Sequence, residues 1–182
     1  MPPTSETPDT WSRPLGLRFV VDVLNESPET GGDLQLLMRE HHGPRFDIAV
    51  FDGDQFGRAI DAVRQVFAAD DDADAASRIN QLLVDVNVPT ELDRLDDGRW
   101  VLRPAISADA SLAPWFAAMA AFGLGLWMTE RGRAAWGECA APDCHRVFVD
   151  AGRRRPQQYC STRCATRVRV SAHRESARLE SG

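Results

Sequence analysis

The feature that most constrains this chain is the placement of its cysteines, because all four lie between residues 139 and 164. Cys139 and Cys144 form one close pair, and Cys160 and Cys164 form a second pair further along the chain. Two close pairs joined by a loop of this length are typical of a structural zinc site, since each pair supplies two thiolates from one turn. Four thiolates complete the tetrahedral coordination of Zn²⁺, so we expect one structural zinc ion and no open catalytic position.

Two disulfide bonds would also use all four cysteines, but they require an oxidising compartment. The N-terminal residues show no signal-peptide pattern, so we expect a cytoplasmic protein with reduced thiols. The cysteines could also stay as free thiols or hold an iron–sulfur cluster. His145 follows Cys144 directly, but the four cysteines already fill the coordination sphere, and we therefore expect His145 not to be a ligand.

The segment between the cysteine pairs has its own local pattern. Residues 146–150 alternate and include β-branched side chains, which predicts a strand, and residues 157–159 are expected to return as a second short strand. Ser161 is a good N-cap for a helix that continues to about Leu179. A knuckle, a hairpin and a helix together predict a treble-clef-like zinc finger.

These residues resemble a known family, the CGNR zinc finger. The resemblance rests on C-A-x-P-D-C from Cys139 to Cys144, on F-x-D ending at Asp150, on an arginine-rich turn, on Tyr-Cys-Ser around Cys160 and on Cys-x-x-Arg ending at Arg167. The name-giving tetrapeptide departs from the family, because it has Ala165 and Thr166 in place of Gly and Asn. The resemblance implies a bacterial, stress-induced transcription regulator in which the finger follows an N-terminal ABATE domain.

The residues before the finger predict a mostly helical unit. Amphipathic or apolar segments at 15–27, 55–69, 75–86 and 109–130 indicate helices, and an Asp-Gly turn between residues 92 and 102 indicates one β-hairpin. The predicted fold class is therefore α+β, mostly helical, with a disordered tail at 1–14, an α-rich domain at 15–132 and the finger with a basic helix at 133–182. The family resemblance implies that the domain at 15–132 is ABATE-like, and we expect residues 15–130 to fold without the finger. The predicted core comprises Phe19, Ile60, Val63, Phe67, Leu82, Leu83, Trp115, Phe116, Met119, Phe122 and Leu126.

Two short features of this N-terminal unit bear on function. The sequence Asp22-Val23-Leu24-Asn25 resembles the opening of ABATE domains, and Asp22 and Asn25 are candidates to line a ligand pocket. Alternatively, the two side chains form hydrogen bonds within their own segment. Residues 112–128 carry no charge and approach the length of a membrane span, but their alanines, glycines and Pro114 favour a buried helix or a dimer face, so we expect no membrane partner.

Charge is distributed unevenly along the chain. From Cys139 onward there are nine arginines and four acidic residues, whereas the preceding residues contain twelve arginines and twenty-three acidic residues. A basic finger behind an acidic domain favours double-stranded DNA as the partner. On a helical wheel, four arginines of the last helix fall on one stripe, namely Arg163, Arg167, Arg174 and Arg178, and the turn at Arg153, Arg154 and Arg155 is expected to add phosphate contacts.

Function is therefore open between two classes. The first is a zinc-containing, DNA-binding transcription regulator with an N-terminal sensing or homodimerising domain. The second is a protein-interaction adaptor whose finger docks a protein partner or its own N-terminal domain. No nucleophile–base pair, phosphate-binding loop or catalytic metal spacing occurs in the sequence, so we do not expect an enzyme.

Overall fold

A computed structural model describes residues 16–41, 47–48, 51–87, 89–94, 98, 100–105, 111–152 and 156–180, with the side chains of His173 and residues 175–180 excepted. Along these residues the chain forms six helices and four strands. The helices are α1 (Leu17–Glu26), α2 (Gly31–Glu40), α3 (Gly53–Phe67), α4 (Asp72–Val86), α5 (Leu112–Arg131) and α6 (Thr162–Glu180). The strands are β1 (Thr90–Arg94), β2 (Trp100–Pro104), β3 (Trp136–Glu138) and β4 (Val147–Val149). The predicted α+β, mostly helical class is confirmed. The predicted tail at 1–14 lies outside the described residues.

Short polar side chains set the starts of the helices. Thr30 and Asp33 form a reciprocal capping box at the start of α2. The Asp52 carboxylate accepts from the backbone N–H of Gln55 at α3, and the Asp71 carboxylate accepts from that of Asp74 at α4. Asp71 lies in the acidic run 70–72, so this run supplies the start of α4.

The core forms where α1, α3 and α4 pack against α5. Phe116 of α5 contacts Phe56 and Phe19 at ring-centroid distances of 5.2 and 6.3 Å, and all three rings are fully buried. Gly123 allows α1 to approach α5 closely, because a Cβ there would come within 3.2 Å of Leu17 Cδ2. Six of the predicted core residues are buried, whereas the prediction was wrong for Leu83, which is 37% exposed.

Helix α5 is the one helix among the described residues that is long and apolar enough, by length and composition alone, to cross a membrane. Its side chains at Phe116, Ala120 and Leu124 are fully buried against the other helices. The core helix of a globular domain passes the same test of length and composition, and α5 has this role here. It ends at Gly132, whose φ of +67° is the left-handed cap that glycine favours.

The predicted β-hairpin between residues 92 and 102 is present as β1 and β2. The strands pair antiparallel with Leu92 opposite Leu102 and Arg94 opposite Trp100. Gly98 has a φ of +84° in the connection, which explains the need for glycine there. The apolar face of the hairpin is exposed to solvent, as shown by Leu92 and Trp100, which are each 67% exposed.

The hydrophobic core does not stop at the predicted boundary between residues 132 and 133. Ala135 and Val147 belong to the same cluster of buried side chains as the residues of α1, α3 and α5, and Trp136 and Val149 pack against it. The Trp136 indole N–H donates to the Val66 carbonyl oxygen at 3.0 Å. The helical unit and the finger therefore share one core, although the domain limits themselves stay a prediction.

Candidate metal centre

Backbone hydrogen bonds shape the first cysteine pair into a knuckle. The N–H of Cys139 donates to the Arg146 carbonyl oxygen at 2.9 Å, and the N–H of Cys144 donates to that of Ala141 at 3.2 Å. Asp143 has a φ of +58°, a left-handed conformation that Asp tolerates better than most residues. This tight turn lets both sulfurs of the pair point to the same side.

The second cysteine pair lies at the start of α6. The backbone N–H of Cys164 donates to Ser161 Oγ at 3.3 Å, so the predicted cap at Ser161 is confirmed. Cys160 lies just before this cap and Cys164 lies in the first helical turn, where the positive end of the helix dipole favours a thiolate. The N–H of Ala140 donates to the Gln158 carbonyl oxygen at 2.9 Å and joins the two halves of the finger.

The short sheet of the finger differs from the prediction. Strand β4 at Val147–Val149 was predicted correctly, but its antiparallel partner is β3 at Trp136–Glu138, with Gly137 opposite Phe148. Residues 157–159 form no strand, and the prediction of a returning strand there was wrong. The sequence pattern missed β3 because three residues are too short to show alternation, and because pairing with β4 and packing on α3 decide their conformation.

The four sulfurs come together at distances that fit one zinc ion. The Sγ atom of Cys144 lies 3.8 Å from that of Cys160 and 3.8 Å from that of Cys164, and the last two are 3.7 Å apart. Including Cys139, all four sulfurs lie within 4.8 Å of one another. Tetrahedral zinc with Zn–S bonds of about 2.3 Å places its sulfurs about 3.8 Å apart. The four cysteines are therefore the ligands of a single structural zinc ion, and the predicted cofactor is confirmed.

One of the four thiols, that of Cys139, has a lowered pKa even without the metal. Burial raises the pKa of the Cys139 thiol, but hydrogen bonds from the backbone N–H groups of Cys160 and Ala141 outweigh burial and bring this pKa down to about 7. Burial and the neighbouring thiols raise the pKa of Cys160 to about 12. Full ionisation of the site therefore needs the positive charge of the metal, which couples zinc binding to proton release and to folding. His145 is exposed and lies outside the sulfur cluster.

Asp150 organises the turn behind the metal site. Its side chain is almost fully buried and accepts hydrogen bonds from Arg133 Nη2 at 2.6 Å and from the backbone N–H groups of Gly152 and Gln157 at 2.9 and 3.2 Å. Burial raises the pKa of this carboxyl, but Arg133 and the two amides outweigh burial, so the net shift is downward. The Asp of the F-x-D motif is thus a structural anion that ties the finger to the end of α5.

Asn25 joins α1 to the finger directly. Its Nδ2 donates to the Val147 carbonyl oxygen at 3.1 Å, and its Oδ1 accepts from the Val147 N–H at 2.8 Å. Arg64 of α3 forms a second connection between the helices and the finger, because its guanidinium donates hydrogen bonds to the carbonyl oxygens of His145 and Leu24. The Asp22 carboxylate instead pairs with His41 Nε2 at 2.9 Å. Both Asp22 and Asn25 line a cavity beside the finger, while their role in ligand binding stays a prediction.

The predicted DNA-contacting arginines fall into two groups. Arg163, Arg167 and Arg174 are exposed on α6, whereas Arg153, Arg154, Arg155 and the side chain of Arg178 lie outside the described residues. Arg167 Nη2 donates to the Pro142 carbonyl oxygen at 2.8 Å, so this arginine also holds α6 against the cysteine knuckle. Sequence analysis missed this structural role and also missed Arg146, which lies beside Arg163 and Arg167 in a groove of about 900 Å³ next to the zinc site.

Comparison with known families agrees with the geometry of the finger. Residues 136–177 match the family model described as CGNR zinc finger, which begins at β3 and ends within α6. Comparison with curated proteins finds no match. The family model covers the finger alone, so the ABATE assignment of residues 15–132 and the stress-regulator role stay predictions.

Proposed function

We propose that this protein is a zinc-containing, DNA-binding transcription regulator of the bacterial cytoplasm, with no catalytic activity of its own. The observation that carries the proposal is the arginine groove, which we define as the groove beside the zinc site lined by Arg146, Arg163 and Arg167. Guanidinium groups bind phosphate through paired N–H donors, and contacts of this kind supply much of the affinity of proteins for DNA. The groove also opens at the N-terminal end of α6, where the helix dipole favours an anion.

The exposure of α6 supports the same proposal. Among the described residues, no other helix or strand packs extensively against α6, and Arg163, Arg167, Arg169 and Arg174 are all exposed. A helix of nineteen residues is about 28 Å long, which is sufficient to cross a DNA groove. The zinc site and the Arg167–Pro142 contact fix the direction in which this helix leaves the body.

A salt titration of DNA binding tests the proposal. The zinc-loaded full chain is titrated onto a fluorescent DNA duplex at increasing salt, and the slope of log affinity against log salt reports the number of phosphates neutralised, at about 0.9 per contact. Substituting Arg163→Gln together with Arg174→Gln should reduce the steepness of this slope by about two units. These two side chains are preferred to Arg167 because, among the described residues, no hydrogen bond or ion pair holds either of them.

Arg169→Gln is the matched control, because Arg169 is equally exposed on α6 but lies away from the predicted stripe. Arg169→Gln should lower the affinity for DNA and the steepness of the salt slope less than the double variant does. Equal zinc content in all variants shows that the finger is intact. If the wild-type protein fails to bind duplex DNA at low salt, or if the double variant keeps the wild-type slope, the DNA-binding proposal is wrong.

A protein-interaction adaptor is the second candidate, and the exposed face of the hairpin favours it. Leu92, Trp100 and Leu102 lie on one side of β1 and β2 and are 67%, 67% and 45% exposed. The other side carries Arg103, which pairs with Glu91 and Asp93 at 2.8 and 2.9 Å. An exposed apolar surface that includes a tryptophan is typical of protein contacts, including those of homodimers. Measuring the mass of wild type and Trp100→Ser by light scattering tests whether this face holds two copies together.

A further inference from the structure

A partly enclosed cavity of about 560 Å³ lies between α1 and the finger. Helix α1 lines one wall and strand β4 lines the other, while Trp127 of α5 also borders it. Cavities of roughly 300–1,000 Å³ are the usual size of sites for small organic molecules. The side chains that line this cavity indicate which chemical class of molecule it would take.

One charged group in the cavity, Arg18, has no partner among the residues that the structure describes. Arg18 is exposed on α1, and no hydrogen bond or ion pair joins it to another described residue. Asp22 lies one turn further along α1, but its carboxylate is engaged by His41 at 2.9 Å. The second guanidinium of the lining, Arg146, contacts Glu26 at 3.2 Å through side chains that are about half exposed. Such surface pairs are weak, so the cavity offers Arg18 as an available cation with Arg146 nearby.

The rest of the lining is largely apolar. Leu17 and Val21 lie one turn apart on α1, and Val147 and Val149 face them from β4. The indole N–H of Trp127 donates to the Ala135 carbonyl oxygen at 3.2 Å, which fixes the ring, and Arg131 stacks over that ring at 4.4 Å. A fixed aromatic ring among aliphatic side chains favours a hydrocarbon or an aromatic group.

We propose that this cavity binds a small organic carboxylate with an apolar body. The carboxylate pairs with the Arg18 guanidinium, and the apolar part packs against Val21 and Trp127. A molecule bound there contacts α1 and the finger together, next to Cys160, and therefore holds the finger in its position on the helical body. The site goes beyond the proposed DNA binding and is tested without DNA, so either proposal can fail while the other stands.

Calorimetric titration of the zinc-loaded full chain with octanoate, butanoate and benzoate tests the proposal. We expect at least one of the three carboxylates to bind with one site per chain, and 1-octanol to bind at least about tenfold more weakly than octanoate, since an ionic hydrogen bond is worth this much. Arg18→Gln should weaken carboxylate binding by about tenfold or more and leave 1-octanol unaffected. Arg58→Gln is the matched control, because Arg58 is exposed on α3 away from the cavity and should change neither.

A second variant tests the location independently of charge. Ala151 is an exposed residue of the lining, so Ala151→Trp should fill part of the cavity and weaken the carboxylate and 1-octanol together. Unchanged zinc content and unfolding midpoint show that the variant is folded. The proposal is overturned if none of the three carboxylates binds at millimolar concentration, if Arg18→Gln binds as tightly as wild type, or if Ala151→Trp has no effect.

Discussion

The contact between Asn25 and Val147 provides the sharpest test of how the finger and the helical body depend on each other. The Asn25 carboxamide satisfies both the N–H and the C=O of Val147 across a sequence separation of 122 residues. Val147 is almost completely buried, with a relative exposure of 1%. Asn25→Ala removes the donor and the acceptor together, so both backbone groups of a buried residue lose their partner.

The expected cost follows from these two unmade hydrogen bonds. Leaving a buried polar group without a partner costs about 1–3 kcal/mol, and the lower end applies here because Asn25 is half-buried and water can enter the vacated space. Alanine has a higher helix propensity than asparagine, which offsets about half a kcal/mol of this loss of stability. Two unpartnered groups at about 1 kcal/mol each, less this half, lead us to expect Asn25→Ala to reduce the free energy of unfolding by about 1.5 kcal/mol. Asn25→Asp should be at least as damaging, since it places a carboxylate against the Val147 carbonyl oxygen.

Urea unfolding at a fixed free zinc concentration measures this cost, because metal that binds only the folded chain shifts the midpoint by mass action. Circular dichroism reports the helices, and a coloured chelator reports zinc release in parallel. The two signals should shift to lower urea together, because the finger and the helices share one core. Asn80→Ala on the exposed face of α4 is the control and should stay within about 0.5 kcal/mol of wild type. An equally small effect of Asn25→Ala would refute this reasoning.

Three further predictions concern the zinc site and the charges. Cys144→Ser should lower the zinc content from one per chain to near zero by atomic absorption, whereas His145→Gln should keep it, because His145 lies outside the sulfur cluster. Asp150→Asn should lower the free energy of unfolding in urea by about 2 kcal/mol, because it weakens the contact with the partly solvated Arg133. Asp143→Asn on the same finger is the control and should leave this free energy nearly unchanged. The hydrogen bond from Arg78 holds the pKa of the Asp74 carboxyl below its usual value. The stabilisation that the ionised Asp74 gives to α4 is therefore complete above the unfolded pKa of about 3.9 and is lost as pH falls through the folded pKa. An NMR titration should show this pKa rising in Arg78→Gln, and an unchanged value would contradict the assignment.

The sequence alone determined those features that depend on short-range patterns. The spacing of the four cysteines predicted the zinc site, because two thiolates from each tight turn are a local property of the chain. Ser161 predicted the start of α6, and the glycine at 98 predicted the hairpin turn, because capping and left-handed conformations are set by neighbouring residues. The amphipathic pattern of α3 likewise predicted the buried positions Ile60, Val63 and Phe67.

Only the tertiary structure decided how these parts join. The partners of Asn25, Arg64 and Asp150 lie on elements that meet through packing, and no local pattern specifies a hydrogen bond across 122 residues. Strand β3 also depends on the tertiary structure, because its three residues form a strand only through pairing with β4. Arg167 was predicted as one member of a solvent-facing stripe, but its guanidinium donates a hydrogen bond to the Pro142 carbonyl oxygen of the knuckle. The shared core is the physical reason for all of these outcomes. Burial of Ala135 and Val147 among the helices brings the finger against the helical body, and the polar groups buried at this contact then form hydrogen bonds with each other.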